Sequence, residues 1–311
     1  MYDKLIDIVK EYIDKMGVDS FKTFSMSYNC SKVLLSERDF KFHYKYKKKM
    51  DFKKNDALVE GFLSDLNPSY LEHYRLRKSD GSFIFEDDES GYGYSTYNDD
   101  GKPEIYVGLT GSIEDGFSIV HELFHDINAT GEFDSYGRYF FTECLSILGE
   151  FLFSDYLVDK NVVDRKNVLE MALYFLRRKA LEVNFNLKLI KEYLGHGLLN
   201  DDIIDGIIST YPYECRQDIN EIILIIEHND WVTLEEEQTY VVSCLAATYM
   251  YDRIKGNKKY LNELFELNQK LNDMNLTQVL NYLDIDYGDS DITDKSYSIL
   301  HDKYKKFIKR W

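Results

Sequence analysis

The sequence predicts a mainly α-helical fold that carries a small, mostly antiparallel β-sheet. Three observations predict it. Only three prolines interrupt 311 residues, so helices can run long. Most of the chain repeats its apolar residues at helical spacing. Between Ser82 and Leu109 that period gives way to short aromatic and β-branched runs separated by turn residues.

The bulk numbers set bounds on this reading. With 44% hydrophobic and 30% charged residues, the chain is globular rather than disordered and long enough to bury a sizeable core. A net charge of −17 argues against nucleic acid or an anionic membrane surface as partner. The first ten residues alternate charged with apolar positions and have no signal-type apolar core. No later run approaches the roughly 20 apolar residues that span a bilayer. Cys30, Cys144, Cys215 and Cys244 form no CxxC pair and read as reduced thiols, so the expected location is the cytoplasm.

The elements follow in order. Residues 2–16 make an amphipathic helix with Leu5, Ile6, Ile8, Val9, Tyr12 and Ile13 near one stripe. The segment 41–54 is rich in lysine and aromatics, and in so acidic a chain it reads as a solvated helix face. A further helical stretch spans 56–77. Short strands are expected at 82–86, 91–97 and 104–109, with a turn at Asp99–Pro103 in which Gly101 suits a positive φ. The next helix opens at Ser112, with Asp115 three residues on as a capping signal, and buries Ile113, Phe117, Val120, Phe124 and Ile127. Helices then follow at about 138–158, 164–194, 199–211, 216–229, 233–255 and 258–274. A short helical turn at 275–284 and a last helix at 294–309 close the chain. Residues 1–80 form a short N-terminal helical region, and 81–311 form the domain that carries the chemistry, the two packed as one unit.

That chemistry centres on His121-Glu122-Leu123-Phe124-His125, an HExxH pattern on the capped helix. Positions i and i+4 share a helix face, so both imidazoles can reach one ion, and Glu122 can reach a water beside it. This is the minimal apparatus of zinc-assisted hydrolysis. A catalytic zinc takes three protein ligands and keeps one open position. Glu132, Asp134, Glu143 and Glu150 follow the motif. The first two lie in a polar loop. Glu143 sits in a strongly apolar helix, and a buried carboxylate is costly unless paired or coordinated. It therefore stands as third ligand, against the alternative of a buried ion pair with Arg177 or Arg178. Glu143, Ser146 and Glu150 make one polar stripe, so Glu150 could hold an imidazole N–H from behind, with Asp126 the weaker candidate for the same task.

The run from Gly91 to His125 and the segment Phe141-Thr-Glu143-Cys-Leu-Ser146-Ile-Leu-Gly-Glu150 resemble the oligoendopeptidase F and thimet oligopeptidase family of zincin-like metallopeptidases. The resemblance implies one zinc ion held by His121, His125 and Glu143, Glu122 as general base, and short peptides as substrates. It also implies a helical catalytic domain with a small sheet whose edge strand can pair with a peptide backbone. Tyr240, on a segment similar to the family's late tyrosine-bearing helix, would donate to the oxyanion. The chain departs from the family pattern at Phe124, where members commonly carry Gly, and at Asn128, where they carry a further His. Other late donors are missing, with Val242 and Cys244 in their places. The alternative reading is a peptidase-derived metal-binding module with weak or no turnover, serving in binding or regulation.

Overall fold

The computed structural model describes residues 2–16, 27–28, 30–31, 35, 48–98, 100–128, 136–228, 231–257, 259–268, 270–271, 274 and 276–285. The expected helix at 294–309 and residues 41–47 of the lysine-rich segment lie outside these residues. Helix α1 (Asp3–Lys15) is followed by α2 (Phe52–Leu66) and α3 (Pro68–Ser79). Strands β1 (Phe83–Asp87), β2 (Gly93–Tyr97) and β3 (Pro103–Leu109) come next. Then come α4 (Glu114–Asn128), α5 (Tyr136–Asp159), α6 (Arg165–His196), α7 (Asp201–Ser209), α8 (Arg216–His228), α9 (Trp231–Gly256), α10 (Lys259–Asn268) and α11 (Leu276–Tyr282).

The stretch expected as a single helix at 56–77 is two helices. Asn67 ends α2 in extended conformation, and Pro68 takes the first position of α3, where its missing N–H costs nothing. The Asn67 side chain accepts from the Ser69 N–H at 3.1 Å and caps the new helix.

The sheet is mixed, with order β1-β3-β2. β2 pairs antiparallel with β3, Tyr94 opposite Tyr106, as the sequence suggests. β1 pairs with the other side of β3 in parallel, Phe83 opposite Ile105. A tight turn joins β2 to β3. In it the Asn98 side chain accepts from the N–H groups of Asp100 and Lys102 at 3.0 Å each, and Gly101 has φ +70°. Ile105 and Val107 are fully buried on one face of β3, while Tyr94 and Tyr106 stack on the other at 5.3 Å between ring centroids.

Two apolar clusters make the core, and α5 belongs to both. Phe140, Phe141, Leu145 and Leu148 pack with α1, α6, α8 and α9, whereas Phe153 and Leu157 pack with Phe62, Leu63, Val107, Val120 and Phe124. A helix apolar all round is one that neighbours enclose. Helix α4 joins the second cluster and lies along α5. Among the described residues no helix is long and apolar enough to cross a membrane.

Candidate metal centre

The start of α4 is tied to the end of β3. The Asp115 carboxylate accepts from the Thr110 N–H at 2.9 Å, the Thr110 hydroxyl at 2.6 Å and the Gly111 N–H at 3.1 Å. Ser112 Oγ accepts from the Glu114 N–H at 3.1 Å. Three N–H groups at the strand-to-helix junction, those of Thr110, Gly111 and Glu114, are thereby satisfied, and the helix leaves the sheet in a set direction. The HExxH pattern falls in its second half.

Helix α5 supplies the facing side chains. Close packing brings them within reach, and a glycine permits it. A Cβ built on Gly149 would lie 2.9–3.1 Å from three ring atoms of Phe124. The bulk of Phe124 is thus received by a gap in α5, one residue before Glu150. At the other end of α4, the Asn128 side chain donates to the Phe124 carbonyl at 2.6 Å and closes the helix.

His121, His125 and Glu143 converge, with one ligand atom from each lying within 4.8 Å of the others. The two Nε2 atoms are 3.1 Å apart. Glu143 Oε1 lies 3.1 Å from His125 Nε2, and Oε2 lies 3.6 Å from His121 Nε2. A tetrahedral zinc with bonds of roughly 2.0–2.1 Å would separate its ligands by about 3.3 Å. The set therefore has the dimensions a single small cation requires. Glu143 is 3% exposed, and its Oε2 is buried with no hydrogen-bond partner. An orphaned carboxylate oxygen beside two imidazole nitrogens fits a metal ligand better than a structural ion pair. Arg177 turns instead to Cys215 and Arg178 to Glu221.

Glu150 Oε1 sits 2.6 Å from His121 Nδ1. A proton on Nδ1 leaves the Nε2 lone pair facing the centre, the tautomer a metal needs. Asp126 faces the other way. Its buried carboxylate takes His73 Nε2 at 2.5 Å and Arg77 Nε at 2.8 Å, clamping α4 to α3 rather than meeting either motif imidazole. Tyr240 lies half-buried on α9 with Lys179 Nζ 4.7 Å from its ring centroid. One turn on, Ser243 donates to the Phe140 carbonyl at 3.4 Å, which seats α9 one turn of α5 away from Glu143. The loop candidates Glu132 and Asp134 lie outside the described residues.

The electrostatics follow from burial and crowding. Burial would push the His121 pKa down, but the carboxylates of Glu143 and Glu150 beside the ring outweigh it and hold the value well above 6.5. Burial would push Glu143 up, but the imidazoles of His125 and His121 outweigh it and hold the carboxyl below the usual range. Glu122 is raised, chiefly by burial, with the two imidazoles opposing. The centre is an acidic pocket that favours a positive charge on His121, and a divalent cation answers the same demand.

Two features of the site were not read from the sequence. One is the Gly149 gap. The other is Gly93 on β2, which lies directly against the Glu122 side chain. Both carry a recognisable signal, since a glycine inside a strand or helix often marks a close approach.

The architecture is that of the oligoendopeptidase F-like peptidases. A candidate peptidase from Chlamydophila abortus superposes with a TM-score of 0.60 at 18% identity, covering 98% of this chain and 54% of that one. A candidate oligoendopeptidase F from Bacillus anthracis gives a TM-score of 0.62 at 13% identity, over 93% of this chain and 57% of that one. A structure described as PZ peptidase A with an inhibitor gives 0.59 at 16% identity, over 95% and 58%. The chain therefore spans little more than half the length of these neighbours. No protein-family model and no curated protein matches it.

Proposed function

We propose that this chain is a zinc-dependent peptidase acting on short oligopeptides. The observation that carries the reading is the convergence of His121, His125 and the orphaned Glu143 carboxylate at ligand spacing, with Glu122 buried beside them. His121, His125 and Glu143 would hold one zinc ion. Zinc, when bound, supplies a Lewis acid and acidifies a water. Glu122 takes the proton of the attacking water and hands it to the leaving amine. Its raised pKa moves it toward the range in which a base can both accept and release a proton near neutrality. Glu150 holds the His121 ring by its Nδ1 proton. Tyr240 is the proposed donor to the oxyanion, supported by the seating of α9 along α5. The outer edge of β2 has no strand partner among the described residues and offers backbone groups to an extended peptide.

The test compares wild type with Glu122→Gln, measuring zinc content and cleavage of a peptide library. Stoichiometric zinc is expected in both, with cleavage reduced by at least about 10²-fold in the variant. Zinc without cleavage in wild type would favour the metal-binding module without turnover. Absence of zinc from both would overturn the reading.

A further inference from the structure

We propose that Gly93 is the seat of the general base: β2 lacks a side chain there so that the Glu122 carboxylate can lie against the strand in its working position. This inference rests on the base role given to Glu122 above. A Cβ at residue 93 would stand 2.9 Å from Glu122 Oε1, 3.1 Å from Cγ and 3.3 Å from Cδ. Among the described residues no other side chain is as near as these three atoms.

Backbone geometry does not account for the glycine. Gly91, two residues earlier, has φ +65°, a conformation that L side chains rarely adopt. Gly93 is not among the positive-φ residues and sits in regular register opposite Val107, where any residue fits the ladder. A glycine inside a strand weakens it, so its presence at an ordinary φ calls for a steric reason. Glu122 is that reason. The carboxylate is 7% exposed, and no side-chain hydrogen bond holds it among the described residues. The wall of β2 bounds it on one side. The neighbouring His121 and His125 are fixed by Glu150 and Glu143, and for Glu122 the surface of β2 at Gly93 is a close wall.

The consequence is specific. The atoms a Cβ would meet belong to the flexible end of Glu122, so an added methyl moves that end rather than the fold. The damage should appear in turnover, because a displacement near 1 Å of a reacting group can cost about 10²-fold in rate.

The experiment uses the full chain loaded with zinc and four proteins: wild type, Gly93→Ala, Glu122→Gln and the double variant. Crystal structures and kcat and KM values on a cleaved peptide are compared. In Gly93→Ala, the expected results are stoichiometric zinc, KM within about threefold of wild type and kcat down by about 10²-fold. In crystals the Glu122 carboxylate should be displaced from β2 while the three ligands stay. In the Glu122→Gln background the added alanine should cost no further rate, since no base remains to misplace. An equal loss in both backgrounds, or a loss confined to KM, would overturn the proposal. So would an alanine accommodated by movement of β2 with Glu122 unmoved. If wild type cleaves nothing, the peptidase reading fails by itself, and the position of Glu122 in the two crystal structures still decides whether Gly93 seats it.

Discussion

His121 and Glu143 titrate in opposite senses, and that gives the metal-free protein a recognisable pH profile. The His121 pKa is raised above 6.5, so its contribution to stability is complete below pH 6.5 and is lost as pH rises through the raised value. Glu122, raised above 4.5 by burial, weakens the fold in the same direction as it ionises. Glu143 is lowered below 4.5, so its contribution is present above pH 4.5 and is lost as pH falls through the lowered value. Urea unfolding of chelator-treated protein should therefore show stability falling as pH rises above 6.5. The slope should not exceed about 1.4 kcal/mol per pH unit for each proton released. With zinc present the trend should reverse, since binding displaces the imidazole proton and strengthens with pH. A profile flat from pH 6 to 9 without metal would contradict the arrangement of His121 between Glu143 and Glu150. At this scale the sequence was informative for side chains whose spacing is set by one helix, such as His121 with His125 and Glu143 with Glu150. It was uninformative for Asp126, because the partners that claim it, His73 and Arg77, come from a helix about 50 residues away.

The pairing of α4 with α5 is the element on which the site depends, and it turns on one glycine. Alanine is ordinarily favoured over glycine inside a helix by about 1 kcal/mol. At Gly149 the new Cβ would press on the Phe124 ring at 2.9–3.1 Å, and overpacking of this kind costs about 1–3 kcal/mol. Gly149→Ala should therefore destabilise the protein in urea unfolding and lower its zinc affinity, with both effects reduced in a Phe124→Leu background. A stabilising Gly149→Ala would mean that the helices do not approach as described. Helix periodicity placed α4 and α5 to within a few residues, and the Ser112–Asp115 signal marked the true start of α4. The expectation of one helix at 56–77 missed the break at Asn67-Pro68, although a proline opens a helix as readily as it ends one. The parallel pairing of β1 with β3 was not legible in the residues. The chain reverses between β1 and β2 and again between β2 and β3, and β3 inserts between the other two, an order that a one-dimensional pattern does not carry.

Over the whole molecule, the site lies where the two apolar clusters meet along α5. Part of that helix packs with α1, α6, α8 and α9, and its last turns pack with α2, the sheet and α4. The proposed ligand set bridges α4 and α5, so metal binding there would be coupled to the packing of the two clusters. Zinc should accordingly stabilise the full chain by RT ln(1 + [Zn]/Kd), about 4 kcal/mol at a thousandfold excess over Kd. The neighbours share this fold across nearly all of the chain, yet the chain spans little more than half of their length. The activity proposed here therefore rests on local geometry at α4, α5 and β2.

The most direct test of that geometry is calorimetric titration of metal-stripped protein with zinc, for wild type and for Glu143→Ala. The account requires one zinc per chain in wild type, with protons released on binding, and at least about a tenfold weaker association once the buried carboxylate is removed. No binding in wild type, or equal binding in the two proteins, would contradict it.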